Sequence, residues 1–545
     1  MMDKKLHKSY RYKGTMLILG LLLAVFGLSF VRVHDLGRRG QFSAEEVSEN
    51  VGNENRSLAP DFSADGTFSS HLPLVIIDTY GEQPKADSVW SDEKGYRVPA
   101  DYDPYAYGTI SIIDRQDGMN TLSDDPDLKS DIKIRLRGNS SLTFDKKQYF
   151  IKLVNEDGTK NEQNVLGMGK EWEWVLNISQ ADKSLLRNYM CLNIASKIMP
   201  YVPDSKFCEV IMIKDGKSQY QGAYLMMESV KRGKDRINIA KYGSNFKNNS
   251  YILRRDRYDE SAVLLNNYGS ENGLTPNFIE LKYPDADQVS DAAVKNIENE
   301  ISAFEKAIFS KDIEEYYTYS DYIDMDSFID YFIINEFFGN YDSGYHSVYF
   351  YKNGGSKLRA GPVWDFDRAM DNFNNSAMML DSTAMHDAPW FRQLLRDNNF
   401  TEALINRYHE LRKTILSEEY LFSYMDETIE FLGSAQQRDW NRWSYFYEDA
   451  SVTDEKDDPV VNVQTNYADE IEKMKKVIHI HGTWLDENID SLYQYSEFDG
   501  TSIKSGLFYT AAQAVLGNES AWLSGVGAIL FIVVFMVSVI LIERN

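Results

Sequence analysis

The amino-acid sequence predicts an α+β protein with a strand-rich front half, a mainly helical back half and a transmembrane helix near each end. Short apolar runs separated by turn residues recur between residues 72 and 230, which is typical of strands. From Asp287 onward, apolar residues recur at helical spacing instead. Two long apolar segments without charged residues lie near the termini, and each is long enough to cross a bilayer.

The two apolar segments predict membrane anchoring at both ends. Uncharged runs cover residues 14–31 and 520–542. Five basic residues precede the first run and three follow it, so the positive-inside bias places the N-terminus in the cytoplasm. Because no clear small-residue cleavage site follows, an uncleaved anchor is favoured over a signal peptide. We therefore predict a cell-membrane protein with both termini cytoplasmic and the main domain extracytoplasmic.

These segments set the predicted domain organisation. The residues after the first anchor are polar and without periodicity, which indicates a linker. The chain divides into a basic cytoplasmic tail (1–13), a transmembrane anchor (14–33), a polar linker (34–70), a folded domain (71–495), a juxtamembrane segment (496–519), a transmembrane helix (520–542) and a cytoplasmic tail (543–545).

Composition narrows the function classes. A net charge of -25 argues against nucleic acid as a partner, because phosphate binding needs clustered Lys and Arg. Cys191 and Cys208 are the two cysteines, and the chain has no CxxC pair, which argues against a zinc site. Two buried thiols are favoured for them, with a disulfide as the alternative.

The strand and helix patterns can be assigned in order. Asp215-Gly216 is a turn signal between two strands, Asp182 is the predicted N-cap of a helix over 183–199, and Gly339 is a suitable residue to end the helix over 325–338. Strands are predicted at 72–78, 108–114, 131–138, 148–154, 171–178, 207–213 and 220–230, and further helices at 287–309 and over much of 388–495.

The stretch "GPVWDFD" at 361–367 ends a predicted hairpin that brings acids together. Asn353-Gly354 is a strong two-residue turn signal, and that register places Asp342 opposite Asp365, roughly 4.5 to 5.5 Å apart between Cβ atoms. A turn at Gly354-Gly355 would shift the register by two and still keep the acids near each other.

Two carboxylates at that separation need a proton or a cation between them. Oxygen ligands favour Mg²⁺ or Mn²⁺, and Asp367 could add a third oxygen. The alternative is a solvated loop that carries three exposed acids.

The front half supplies cations. The stretch 135–152 offers Arg and Lys side chains around Gly138 and a small polar loop, which could cradle phosphate through backbone N–H groups and a cationic side chain. An exposed basic hairpin explains the pattern equally well. Glu228 ends a strand, either as a solvated carboxylate or as the partner of a lysine or a ribose hydroxyl. The cations are Arg135, Arg137, Lys146, Lys147 and Lys152.

Six motifs, in this order, resemble the spore coat protein H (CotH) kinase family of atypical protein kinases. They are "LRGNSS", "KKQYFIKL", "ISQADKSLLRN", "YQGAYLMMESV", "NYDSGYHSVYFY" and "PVWDFD". The resemblance covers roughly 71–495. It implies a divergent protein-kinase-like fold with a β-rich N-terminal lobe and a mainly helical C-terminal lobe. It also implies transfer of the ATP γ-phosphate to Ser or Thr of a protein, with Mg²⁺ or Mn²⁺ as cofactor.

The resemblance assigns roles residue by residue. Asp342 matches the catalytic aspartate and Asp365 the metal-binding aspartate. Lys152 looks like the phosphate-contacting lysine, with Lys147 close by, and Glu228 is implied to lie at the nucleotide site. Arg137 belongs to the cationic hairpin, Asp367 is a further metal-ligand candidate, and Arg187 and Asn188 match the "LRN" motif without a chemical role.

The chain departs from the family pattern at two places. The family usually has Asn five residues after the catalytic Asp, as a second metal ligand, and this chain has Ser347 there. The glycine that often follows "WDFD" is missing. Two other functions therefore stay open: a non-catalytic surface-binding or coat-assembly module with the same fold, and an acid-pair hydrolase of cell-wall glycan.

Overall fold

The computed structural model describes residues 61–498, apart from 92–94, 100–101, 116–117, 139, 179, 244–248, 373–379 and 448–465. The predicted anchor at 14–33, the predicted transmembrane helix at 520–542 and both predicted cytoplasmic tails lie outside the described residues. In the part of the chain that is described, no helix combines the length and the apolar character needed to cross a membrane.

Seven strands of the front half close into a barrel. Their order around the barrel is β5-β7-β6-β1-β2-β3-β4, and β4 pairs back onto β5. The β6–β1 pair is parallel and the other pairs are antiparallel. Each strand overlaps a predicted one. The strands are β1 (Leu74–Asp78), β2 (Ala106–Ile113), β3 (Leu128–Arg137), β4 (Gln148–Val154), β5 (Glu173–Asn177), β6 (Ser205–Lys214) and β7 (Lys217–Glu228).

Period-two alternation separates the inside of the barrel from its outer face. Ile134 in β3 and Ile151 in β4 are fully buried, whereas Arg135 and Lys152, one residue further along, are only partly buried. Successive side chains of a strand point to opposite faces. The basic residues of the 135–152 stretch that lie on these strands are therefore on the outer face.

Local turn signals had mixed outcomes. Asp215 and Gly216 have φ of 51° and 72°, as a two-residue turn between paired Lys214 and Lys217 requires, which confirms that prediction. The prediction that Asp182 caps a helix from residue 183 was wrong, because α1 (Arg187–Ala195) begins later.

The Asp182 side chain organises a turn ahead of α1. Its oxygens accept hydrogen bonds from the backbone N–H groups of Ser184 and Arg187, at 3.2 and 3.1 Å. Leu185 has φ of 64°, a left-handed conformation that interrupts the helical run.

A second, five-stranded antiparallel sheet has the order β9-β10-β8-β11-β12. The hairpin of "VYFYK" with "RA" was predicted, whereas the three strands between residues 251 and 283 were not. The strands are β8 (Tyr251–Asp256), β9 (Val263–Leu264), β10 (Phe278–Tyr283), β11 (Val348–Lys352) and β12 (Arg359–Ala360).

The predicted register of the β11–β12 hairpin was wrong. Phe350 lies opposite Ala360, so neither predicted register is observed. The Ser356 N–H does donate to the Asn353 carbonyl at 2.9 Å across a turn at Gly354-Gly355, but the strands do not pair directly beside that turn. The reason is tertiary: Asn353 Oδ1 accepts hydrogen bonds from the Ala240 N–H and the Ser250 hydroxyl, at 2.9 and 3.0 Å. The connection between the two strands is therefore six residues long, in place of a two-residue hairpin loop.

The back half is mainly helical, as predicted, and the whole is an α+β fold consistent with a kinase-like architecture. Gly339 has φ of 62° just after α5, which confirms its predicted position at the helix end. Helix α9 packs on β7, and α7 packs on α5. The helices are α2 (Tyr268–Glu271), α3 (Asp291–Phe309), α4 (Ile313–Tyr317), α5 (Met325–Phe337), α6 (Pro389–Leu394), α7 (Asn398–Arg412), α8 (Glu418–Leu432), α9 (Ser434–Tyr447) and α10 (Tyr467–Asn488).

The end of the predicted linker packs against the barrel. Phe68 is fully buried with its ring centroid 5.8 Å from that of Tyr220, and Ser69–Ser70 pairs with Asn120–Thr121. The packed region therefore begins before His71. Cys191 and Cys208 are both buried free thiols, in agreement with the favoured prediction.

Candidate active-site cleft

A cleft of about 430 Å³ lies between the outer face of β3 and β4 and one face of the second sheet. The barrel wall contributes Arg135, Arg137 and Gln148. The sheet wall contributes Arg254 and Asp256, which share a face of β8 because they are two residues apart. Further lining residues are Glu280, Lys282, Asn340, Asp342, His346, Ser347, Trp364, Asp365, Asp367 and Arg368.

The structure brings together in this cleft Asp342, Ser347, Asp365 and Asp367, the predicted acids and hydroxyl. Asp342 lies in a 3₁₀ turn, Tyr341–Gly344, that follows α5, and its carbonyl oxygen accepts the N–H groups of Tyr345 and His346 at 2.9 and 2.8 Å. Asp365 follows β12. A turn and a strand end therefore bring the acids to one cleft, instead of the strand register on which the prediction relied.

The pKa of Asp365 is shifted by its surroundings in the cleft. Burial raises the pKa of Asp365, the Arg137 guanidinium opposes this shift, and the nearby Asp342 carboxylate adds to it. The Ser347 hydroxyl donates a hydrogen bond to Asp365 Oδ2 at 3.3 Å. A carboxyl whose pKa is raised by a second carboxylate is one that a bound cation would stabilise in the ionised form.

Ser347 and Asp365 share an uncommon backbone conformation. Their φ values are 56° and 66°, in the left-handed region that residues other than Gly seldom adopt. Such a conformation costs on the order of 1–3 kcal/mol and is found preferentially at functional sites. The surrounding structure must therefore hold both residues in place.

A chain of amide hydrogen bonds supports the Asp365 segment. The Phe366 N–H donates to Asn188 Oδ1 at 2.7 Å, and Asn188 Nδ2 donates to Asn177 Oδ1 at 3.3 Å. Asn177 Nδ2 and Arg137 Nη1 both donate to Gln148 Oε1, at 3.3 and 2.6 Å. The chain links α1, β5, β4 and β3 to the backbone between the two aspartates.

Arg187, next to Asn188, holds the other end of the same segment. Its Nε donates to the Ala369 carbonyl at 2.9 Å. Its Nη1 lies 2.7 Å from Asp182 and 2.8 Å from Glu470 of α10. The guanidinium is fully buried, so these carboxylates compensate its charge. The "LRN" motif thus positions the 366–369 backbone.

With this geometry in view, sequence comparison identifies the family. The model of the CotH kinase protein family matches residues 134–485. This chain belongs to the CotH kinase family. The match runs from β3 into α10 and includes the four cleft residues above, and it confirms the resemblance drawn from the motifs. The comparison with curated proteins gives no match.

A kinase-like function follows at the level of the CotH family, and such a function would use ATP and a divalent metal ion. The donors in the cleft fit a hard cation, because they are carboxylate, hydroxyl and amide oxygens. Among the described residues, no three side chains of Asp, Glu, His or Cys converge closely enough to hold a metal alone. Mg²⁺ commonly takes one or two carboxylates and completes its shell with substrate phosphates and water.

Lys152, which the CotH resemblance assigns to phosphate contact, lies away from the cleft lining. It is on the same outer face of β4 as Gln148 but four residues further, about 13 Å along the strand. Its Nζ lies 3.6 Å from Glu173 Oε1 and 5.0 Å from the centroid of the Trp172 ring.

Lys147 and Glu228 are also engaged outside the cleft lining. Lys147 Nζ donates to the Leu142 carbonyl at 2.8 Å. Glu228 is 2% exposed, lies 2.5 Å from Arg236 Nη1, and accepts a hydrogen bond from the Tyr201 hydroxyl at 3.1 Å. Of the four predicted nucleotide-binding residues, the structure therefore places Arg137 in the cleft and the other three elsewhere.

Most of the cations that the structure brings to the cleft are arginines. Arg137 lies 5.5 Å from the Trp364 ring centroid, and burial lowers the pKa of Arg137 while Asp365 raises it. A guanidinium stays charged and can bind phosphate through two N–H groups. In "YILRRD", the charged residues Arg254 and Asp256 are two positions apart, and this spacing could have signalled a polar face of a strand. The further lining cations are Arg135, Arg254, Arg257, Lys282 and Arg368.

Proposed function

We propose that this protein is a membrane-anchored atypical kinase that transfers the γ-phosphate of ATP to Ser or Thr of a surface or coat protein. The observation that carries the proposal is the convergence of Asp342 and Asp365 with the Arg137 guanidinium in one cleft of a CotH-family domain. Acids alone would repel phosphate. The guanidinium supplies the complementary charge.

Each cleft residue has a distinct proposed task. Asp342 accepts the proton of the substrate hydroxyl while the oxygen of that hydroxyl forms a bond to the γ-phosphorus of ATP. The bond between the γ-phosphorus and the oxygen that bridges it to the β-phosphate breaks, and ADP leaves. Arg137 holds phosphate oxygens. Asp365, with Ser347 and Asp367, would hold Mg²⁺ or Mn²⁺. The bound cation would neutralise phosphate charge.

The other predicted nucleotide-binding residues rest on the resemblance alone. Lys152, Lys147 and Glu228 stay candidates that a closure of the cleft would have to bring to ATP. Arg137 needs no such movement, because it already lines the cleft beside Trp364.

The location of the domain is part of the proposal. The charge bias around residues 14–33 supports an extracytoplasmic domain between two membrane spans, with both termini cytoplasmic. ATP is scarce outside a cell, so a kinase in this position needs a local supply of nucleotide.

A non-catalytic binding module is the second candidate. Ser347 favours it, because the position offers a hydroxyl that is hydrogen-bonded to Asp365 where the family usually offers an amide oxygen. The intact Asp342, Asp365 and Arg137 set favours catalysis.

The test uses the full chain in detergent. Thermal stability is measured with Mg²⁺ or Mn²⁺, with and without ATP, since a ligand that binds only the folded state raises the melting temperature. Transfer of labelled phosphate to a generic acceptor is measured in parallel. We expect a metal-dependent shift with ATP that Asp365→Ala abolishes and Asp342→Ala retains, and transfer that both variants lose.

Arg137→Gln should weaken ATP binding more than Lys152→Gln. The opposite ranking would return the phosphate contact to Lys152. A wild-type protein with neither a nucleotide shift nor transfer would contradict the kinase proposal, and a nucleotide shift without transfer would favour the binding module.

A further inference from the structure

We infer that Asn340 supplies an amide oxygen to the divalent cation of this cleft, an inference that rests on the proposed metal-dependent function. Asn340 precedes Asp342 by two residues and lines the same cleft as Asp342 and Asp365. Asn340 is the first residue of the "NYDSGYHSVYFY" motif, but the family resemblance assigned it no role. The inference adds an oxygen donor on the N-terminal side of the catalytic aspartate.

The first observation is an unpaired buried acceptor. Asn340 is 1% exposed, and its Oδ1 accepts no hydrogen bond within the described part of the chain. Leaving a buried polar atom unpaired destabilises the fold, so native proteins seldom do so without a ligand, water or ion. An unpaired oxygen in a cleft that fits a hard cation is a candidate ligand of that cation.

The second observation is that the orientation of the amide is fixed. Asn335 Nδ2 donates to the Tyr331 carbonyl at 2.8 Å, so Asn335 Oδ1 is left to face Asn340 Nδ2 at 3.1 Å. Rotating the Asn340 amide by 180° would set two carbonyl oxygens against each other. The nitrogen of Asn340 is therefore committed to Asn335, and its oxygen is the free end.

The third observation is the state of Ser347. Its hydroxyl donates to Asp365 Oδ2 at 3.3 Å. This hydroxyl is the single polar group of the serine side chain, so position 347 offers no amide oxygen. Amide carbonyls and carboxylates are the side-chain oxygens that hard cations take most readily. Asn340 gives the cleft one amide oxygen although position 347 lacks the family's Asn.

The test measures Mn²⁺ binding to the full chain by the loss of the free-ion paramagnetic resonance signal, with and without a non-hydrolysable ATP analogue. Asn340→Leu keeps the size of the side chain and removes the oxygen, whereas Asn340→Asp keeps an oxygen. Asn193→Leu is the matched control, because Asn193 of α1 is also buried but its amide nitrogen donates to the Tyr424 hydroxyl of α8. Melting temperatures in EDTA report the fold of each variant.

We expect Asn340→Leu to weaken Mn²⁺ binding roughly tenfold or more, and Asn340→Asp and Asn193→Leu to bind within a few-fold of the wild type. Unchanged binding by Asn340→Leu, with a binding wild type, overturns the inference and leaves the proposed function standing. Should Asn340→Leu fail to fold, a tenfold loss in folded Asn340→Asp also overturns it. A wild type that binds no Mn²⁺ in either condition contradicts the proposed function itself.

Discussion

At the scale of single residues, the cleft is defined by uncommon backbone conformations. Ser347 and Asp365 have φ of 56° and 66°, and their side chains are joined by a hydrogen bond. Asn and Asp adopt the left-handed region several-fold more often than other residues except Gly. Position 347 is therefore one at which the family's usual Asn would fit the backbone without rearrangement.

This backbone leads to a prediction for Ser347. We expect Ser347→Asn to retain or raise phosphate transfer, because Asn tolerates the conformation and offers an amide oxygen. Ser347→Ala should lower transfer, more at low than at high metal concentration. The measurement is transfer across a Mn²⁺ and Mg²⁺ titration, with Asp365→Ala as the inactive reference. If the wild type transfers no more phosphate than Asp365→Ala, and Ser347→Asn transfers more than both, the binding module is favoured.

A second residue, Glu336 near the end of α5, makes the stability of the fold depend on pH. Its carboxylate accepts the N–H of Ala384 at 3.0 Å and that of Met385 at 2.7 Å. Burial raises the pKa of Glu336 from its usual value near 4.5 to about 7, although these backbone hydrogen bonds lower it. Between about pH 4.5 and pH 7, Glu336 is therefore protonated in the folded state and ionised in the unfolded chain. The free energy of unfolding contributed by Glu336 falls as pH rises through this window.

We predict that Glu336→Gln removes this pH dependence. Relative to the wild type, the variant should gain on the order of 3 kcal/mol in free energy of unfolding between pH 4.5 and 7.5. His481 lies 3.7 Å from Glu336 Oε1, and burial lowers its pKa, so its contribution runs the other way and is present in both proteins. Denaturant titrations across this range provide the measurement. Parallel pH profiles for the two proteins would show that the proton is not on Glu336.

At the scale of elements, side chains of α1 hold the backbone of the segment that carries Asp365 and Asp367. Asn188 accepts the N–H of Phe366, and Arg187 donates to the carbonyl of Ala369. Arg187 and Asn188 both lie in the first turn of the helix and are buried. The position of the acids therefore depends on how α1 is seated against the barrel.

We predict that Asn188→Ala loosens the acids as well as the fold. The unpaired Phe366 N–H should cost about 1–3 kcal/mol in free energy of unfolding, and the affinity for Mn²⁺ with ATP should fall because Asp365 loses its fixed position. Asn193→Ala, a buried change in the same helix whose partner is the Tyr424 hydroxyl, should cost stability and leave that affinity unchanged. Equal affinity losses in the two variants would assign the effect to general destabilisation.

At the scale of the whole molecule, membrane topology decides which substrates the cleft can meet. The proposed extracytoplasmic location rests on the predicted membrane segments at 14–33 and 520–542 and on the basic residues that flank the first of them. We predict that a reporter inserted in the 34–60 part of the linker is external and one fused after Asn545 is cytoplasmic. Accessibility of the reporters to a membrane-impermeant label provides the measurement. A cytoplasmic linker reporter would reverse the orientation and give the domain cytoplasmic ATP.

Much of the fold could be predicted because it depends on local patterns. The strand predicted at 148–154 is Gln148–Val154, and the Asp215-Gly216 turn and the Gly339 helix end formed as expected. Alternation, turn propensity and positive φ act over a few residues, so a single sequence carries them. The hairpin after β11 did not follow its local signal, because Asn353 is hydrogen-bonded to Ala240 and Ser250, about a hundred residues earlier.

What the sequence by itself determined about this protein is the identity of its acids, its family and its α+β order of elements, since motifs and periodicity lie within short stretches of chain. Only the tertiary structure decided which cations face those acids. Arg137 and Arg254 come from different sheets, and Lys152 lies on the outer face of β4 but outside the cleft lining. Charge complementarity across a cleft depends on which strands pair and how two sheets approach, and these are long-range contacts that local sequence patterns do not encode.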